Sequence, residues 1–174
     1  MNLENRAVLY FEDVRTVIYA DNAATTRISD LAFEKMLPFL REQYGNASSQ
    51  YSFGVKARRA VELARRQVAE AIEAKPTEII FTSGGSEGNS WVLQCATAPW
   101  RGDSIHIIIS SIEHHSVLNV CHALEKHGIN VTYLPVDETG CISPRAVEET
   151  LRPDTRLVSI MMANNEIGTW YSLD

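Results

Sequence analysis

The stretch Ile79–Leu93, IIFTSGGSEGNSWVL, constrains this chain more than any other. Its apolar start, Ile79-Ile80-Phe81, predicts a buried strand, and Ser86–Thr97 predicts a helix, with Gly84 and Gly85 between them. A helix that begins on glycines leaves backbone N–H groups without intrahelical partners and lets an anion approach them closely. No lysine follows the glycines, and GGSEG lacks the G-x-G-x-x-G spacing, so neither the P-loop nor the dinucleotide fingerprint applies. A phosphate cradle and a plain tight turn with a serine cap both satisfy this stretch taken alone.

The flanking sequence alternates strands and helices. Val17–Ala20 reads as a β-like run that stops in the small polar loop Asp21–Thr26. Asp30 can cap a helix reaching about Tyr44, with Leu31, Met36, Leu37 and Leu40 on its apolar stripe. After a Gly/Asn/Ser-rich loop, Tyr44–Gly54, a long helix runs from about Phe53 to Ala74. Val61, Leu63, Ala64, Val68, Ala71 and Ile72 form its apolar face. His106–Ser110 is a β-branched strand, Glu113-His114-His115 opens a helix that ends at Gly128, and Ile129–Leu134 is a second strand. Ser143-Pro144 starts a short helix and Leu157–Met162 is a last strand, leading into Asn164-Asn165-Glu166-Ile167-Gly168.

This alternation predicts an α/β fold with a mostly parallel sheet and helices on both faces. Ligands of such sheets bind beyond the carboxyl ends of the strands. Gly84-Gly85-Ser86, Glu113-His114 and Asn164-Asn165 each follow a predicted strand, so they are expected to converge on one crevice. Each has a plainer role open to it: His114 as a helix-start residue bonded to backbone, Asn165 as a turn residue.

Composition narrows the function classes. With 174 residues, 45% hydrophobic, the chain is large enough to bury a core, and a net charge of −6 with scattered basic residues argues against nucleic acid or an acidic membrane as partner. Cys95, Cys121 and Cys141 have no C-x-x-C spacing; they fit buried hydrophobes in a reducing compartment, and no metal site is expected. No signal peptide or membrane span is read in the sequence, so the cytoplasm is the expected location.

Five motifs in order resemble the amino-terminal half of the cysteine desulfurases and selenocysteine lyases, class V of the aminotransferase-type enzymes. They are Tyr19–Thr26 (YADNAATT), Gly45–Ser49 (GNASS), Phe81–Glu87 (FTSGGSE), Glu113-His114 and Asn164–Gly168 (NNEIG). The resemblance implies that residues 17–174 are the N-terminal portion of the large domain of a fold type I enzyme that binds pyridoxal 5′-phosphate (PLP), incomplete at the C-terminus, and that residues 1–16 are an arm. It implies that Gly85 and Ser86 bind the cofactor phosphate, with the serine hydroxyl replacing the family's usual threonine. His114 matches the histidine that stacks on the pyridine ring and assists proton transfer. Asn165 matches the asparagine near the cofactor's 3′ oxygen and the substrate carboxylate, and Asn22, Ala23 and Ala24 match the loop on the substrate side.

The implied reaction converts L-cysteine to L-alanine and leaves a persulfide on the enzyme, whose sulfur passes to an acceptor protein for iron–sulfur cluster assembly or other transfer. The implied assembly is a homodimer. Ala47 replaces a usual proline, Tyr51 a usual histidine and Gly88 a usual serine, and Trp170-Tyr171 is an unusual continuation. The family's cofactor-bearing lysine, its Asp-x-x-Gln segment, its substrate-binding arginine and its sulfur-accepting cysteine match no residue here, so this chain is expected to be inactive alone. Selenocysteine lyase or another class V enzyme fits the same motifs, as does a non-catalytic remnant serving as an interaction module.

Overall fold

The computed structural model describes residues 18–98 and 104–171. The proposed arm, including Val8–Phe11, and the loop Pro99–Asp103 lie outside the described residues. Among the described residues the order is α1 (Asp30–Arg41), α2 (Ser52–Ala71), a short 3₁₀ turn (Pro76–Glu78), α3 (Gly85–Thr97), β1 (His106–Ser110), α4 (His115–Glu125), β2 (Asn130–Leu134), α5 (Pro144–Thr150) and β3 (Thr155–Ser159).

The strands form one parallel sheet in the order β2-β1-β3. Central β1 is buried along its whole length, as its Ile107-Ile108-Ile109 run requires when both sheet faces are covered. Ile107 and Ile109 pack with Leu93 of α3 and with Val117 and Cys121 of α4 on one face. Ile108 faces the other way, with Leu134 and Ile142, against Ala146 and Val147 of α5. Helices therefore cover both faces, as the α/β alternation predicts.

Caps set most boundaries. Ser29 accepts the Ala32 N–H, so α1 starts one residue after the cap and ends at Arg41, short of Tyr44. Ser143 accepts the Ala146 N–H with Pro144 in the first turn of α5. Gly128 adopts φ +89° beyond α4, a conformation that favours glycine.

Several expectations are corrected. Ile79-Ile80-Phe81 pairs with no strand among the described residues, and Ile80 and Phe81 are exposed. Arg65 holds this segment instead, donating to the Ile79 carbonyl and laying its guanidinium 5.0 Å from the Phe81 ring centre. Ile18–Ala20 is likewise no strand; the Tyr19 hydroxyl folds the segment back by donating to the carbonyls of Asp21 and Thr25. β3 spans Thr155–Ser159 and not Leu157–Met162, because its pairing with β1 ends at Ser159.

The apolar stripes of α1 and α2 are real but largely uncovered. Leu31, Leu40, Leu63 and Ile72 are all exposed. The polar loop between these helices is tightly held: Arg58 donates to the carbonyls of Ala47 and Ser49, each at 2.9 Å. A Cβ on Gly54 would lie 2.6 Å from the Asn46 oxygen, so the close approach of loop and helix needs glycine there. Of the cysteines only Cys121 is buried; Cys141 is half-buried and Cys95 exposed.

Candidate functional site

At the carboxyl end of the sheet, a cleft of about 440 Å³ is bounded by Ala23 and Ala24, by Ile112–His115 after β1, and by Asn164–Ile167 after β3. The position follows from the parallel sheet, whose strand ends all point to one side. Two of the three groups expected to meet are here. Gly85 and Ser86 lie outside the cleft lining, at the start of α3, and Asn22 is also outside it.

The floor is tied by long-range polar contacts. Glu113, buried, accepts the Met161 N–H at 2.7 Å. Burial pushes its carboxyl above the usual range, against the opposing pull of that hydrogen bond. Asn164, also buried, donates to the Ile112 carbonyl at 3.1 Å, while its Oδ1 accepts the N–H groups of Glu166 and Ile167. This side-chain turn presents Asn165 on the exposed tip of the loop.

A second turn braces that loop. Asp137 accepts from the Thr139 and Cys141 backbones and from the Thr139 hydroxyl, contacts that hold its carboxyl below the ordinary value. Thr169 donates to the Thr139 carbonyl, and Tyr171 donates to the Gly140 carbonyl at 2.6 Å.

His114 is the N-cap of α4: its Nδ1 accepts the Ser116 N–H at 3.0 Å. The plain capping role is thus the one observed, and the ring borders the cleft at the same time. Ser116 Oγ lies 2.8 Å from the same nitrogen and accepts from Asn89 Nδ2 of α3, also at 2.8 Å. One turn before Asn89, the first turn of α3 has no side-chain cap, unlike those of α1, α4 and α5. Glu87 turns back to accept the Ser83 N–H at 2.6 Å, and a Cβ on Gly85 would meet nothing within 4 Å. Uncapped N–H groups beside open space suit an anion.

These features fit a phosphorylated aromatic cofactor: an open helix N-terminus on one side, an imidazole and a carboxamide at a cleft on the other. Among the described residues no lysine lines the cleft. Among the described residues no group of three or more His, Cys, Asp or Glu is placed to hold a metal ion, and no helix is long and apolar enough to cross a membrane.

Sequence reading missed Asn89 and Ser116 as partners of His114, the tie of Glu113 to Met161, and the pinning role of Asn164. Serine two residues after a possible capping histidine was a local clue to Ser116. Asn89 and Met161 had none, since their contacts depend on which helix and strand lie side by side.

Known proteins support this reading. The family model for Aminotransferase class-V matches residues 18–174. The chain is 50% identical over 152 residues to a cysteine desulfurase IscS of Dictyoglomus turgidum, covering 87% of this chain and 39% of that protein. It is 48% identical to a cysteine desulfurase IscS of Methanosarcina thermophila, covering 87% of this chain and 38% of that one. Among solved structures, a NifS-like protein superposes with a TM-score of 0.84 at 41% identity, covering 86% of this chain and 41% of the other. SspA in complex with cysteine also gives 0.84, at 39% identity, covering 87% and 44%. The chain spans about two fifths of the length of these curated relatives. With its parallel sheet and cleft, the chain belongs to the aminotransferase class V family of PLP enzymes, and within it is similar to proteins named cysteine desulfurases.

Proposed function

We propose that this chain contributes the cofactor-phosphate and ring-facing parts of a PLP-dependent cysteine desulfurase, as the N-terminal portion of its large domain. The observation that carries the proposal is the pairing of an uncapped α3 start, open at Gly85, with a cleft bordered by His114 and Asn165. Bound PLP supplies an electron sink for the amino acid attached to it. Gly85 and Ser86 would hold its phosphate through backbone N–H groups and the serine hydroxyl. The His114 ring would lie against the pyridine, and Asn165 would donate to the 3′ oxygen and the substrate carboxylate. Asn22, Ala23 and Ala24 would border the amino-acid side, where small alanine side chains leave room.

The substrate proposed is L-cysteine, the ligand named for the SspA structure, and the products are L-alanine and a persulfide sulfur handed to an acceptor protein. The complete reaction needs a lysine for the cofactor and a thiolate nucleophile. Among the described residues the cleft contains neither; Cys121 is a poor candidate because burial, then Glu125 and Glu113, push its thiol up to about 11. The assembly proposed is a homodimer in the cytoplasm, with residues 1–16 as an arm.

Titrating the 174-residue chain with PLP, followed by absorbance, tests the reading. Saturable binding that weakens at least tenfold in both S86A and H114A is expected, with no alanine formed from added L-cysteine. Absence of saturable binding, or binding indifferent to both substitutions, would overturn the cofactor assignment.

A further inference from the structure

We propose that Ser116 and Asn89 are positioning residues that hold His114 as the neutral tautomer with its hydrogen on Nε2. The importance of this for chemistry rests on His114 facing the cofactor, but the tautomer itself does not.

The argument is one of donor direction. A backbone N–H can only donate, so the 3.0 Å contact from Ser116 N–H makes Nδ1 an acceptor. A neutral imidazole carries one hydrogen, which must then sit on Nε2. The Ser116 hydroxyl reinforces the choice. Its oxygen receives Asn89 Nδ2–H, leaving its own hydrogen free to point at Nδ1, 2.8 Å away.

All three contacts thus run one way, from Asn89 to Ser116 to His114. The opposite tautomer would set the Nδ1 hydrogen against the backbone N–H and abolish the cap of α4. Nδ1 is fully committed, so Nε2 is the nitrogen left for a bound molecule. The neutral ring therefore offers the cleft a hydrogen-bond donor and not a base. It would favour a ligand atom that accepts there, such as a phenolate-type oxygen or a sulfur.

Long-range ¹H–¹⁵N correlation spectra of the ¹⁵N-labelled full chain, without PLP and at a pH where the ring is neutral, read the tautomer directly. H114Q assigns the signal. The Nε2–H form should exceed the other about fivefold or more, the ratio expected when one form gains roughly one net hydrogen bond. In S116A the excess should shrink several-fold, and S116T, which keeps the hydroxyl, should restore it. N89D should act oppositely to the wild type: its carboxylate takes the Ser116 hydrogen, turns a serine lone pair toward Nδ1, and raises the Nδ1–H population.

A wild-type ring with hydrogen mainly on Nδ1, or a ratio unmoved in both S116A and N89D, would overturn the proposal. N89D leaves Ser116 itself unchanged, so it remains decisive if S116A unfolds. A locked tautomer in a chain that fails to bind PLP would sink only the cofactor reading.

Discussion

The Glu113 carboxylate accepts the backbone N–H of Met161 at 2.7 Å, joining segments 48 residues apart beneath the cleft. In E113A that half-buried N–H loses its partner, and the loss is expected to cost about 1–3 kcal/mol of stability. E113Q keeps a carbonyl acceptor and should cost less. Urea unfolding of the three proteins checks the order. Burial raises the Glu113 pKa, so the folded chain retains a proton that the unfolded chain releases first. Wild-type stability should therefore fall as pH rises from about 4.5 through the higher folded value, and E113Q should lack that slope.

His106 is fully buried between two hydroxyls, with Nδ1 2.8 Å from Thr155 Oγ1 and Nε2 2.8 Å from Thr132 Oγ1. Burial, with help from Arg152, lowers its pKa, while Asp154 opposes. The unfolded chain thus binds a proton before the folded one does, and stability should be lost as pH falls from about 6.5 through the lower folded value. H106Q should flatten this acid limb in chemical denaturation measured across pH.

Gly140 sits at φ +81°, where a Cβ would come within 2.5 Å of Ile167 Cδ1 and 2.7 Å of Thr169 Oγ1. G140A combines backbone strain with a clash against the loop that carries Asn165, and about 1–3 kcal/mol of destabilisation is expected. Thermal unfolding gives the size. Amide hydrogen exchange should show faster opening at residues 164–169 than in β1.

The three cysteines should separate by reactivity. Cys95 is exposed, Cys141 half-buried, and Cys121 both buried and raised to about 11. A disulfide reagent on the native chain should modify Cys95 first and spare Cys121 until unfolding, with mass spectrometry of digests reading the order.

The sequence showed most clearly what local chemistry decides. β1 is found where its isoleucines place it, and the Ser143-Pro144 start of α5 follows from cap chemistry alone. Ile79–Phe81 misled because an apolar β-branched run needs a neighbouring strand, and here Arg65 meets it instead. The stripes of α1 and α2 were legible as patterns, yet a pattern does not supply the surface that covers it. In the site, His114 and Asn165 were found through motif likeness. Ser116 had a local clue beside His114, whereas Asn89 and Met161 became visible only with α3 against α4 and β3 beside β1.

The cleft's ties set an order of assembly. Asn89 reaches Ser116 across 27 residues, Thr169 reaches Thr139 across 30, and Asn164 reaches Ile112 across 52. No peptide cut from one side of these pairs would reproduce the site. Because loop closure must be met before such contacts form, β1 and its flanking helices can collapse while the cleft is still open. On the ribosome His114 is made early but has no finished surroundings until residue 164 has emerged and β3 has docked. The ties that close the cleft are therefore completed only when the last strand of the sheet has been made.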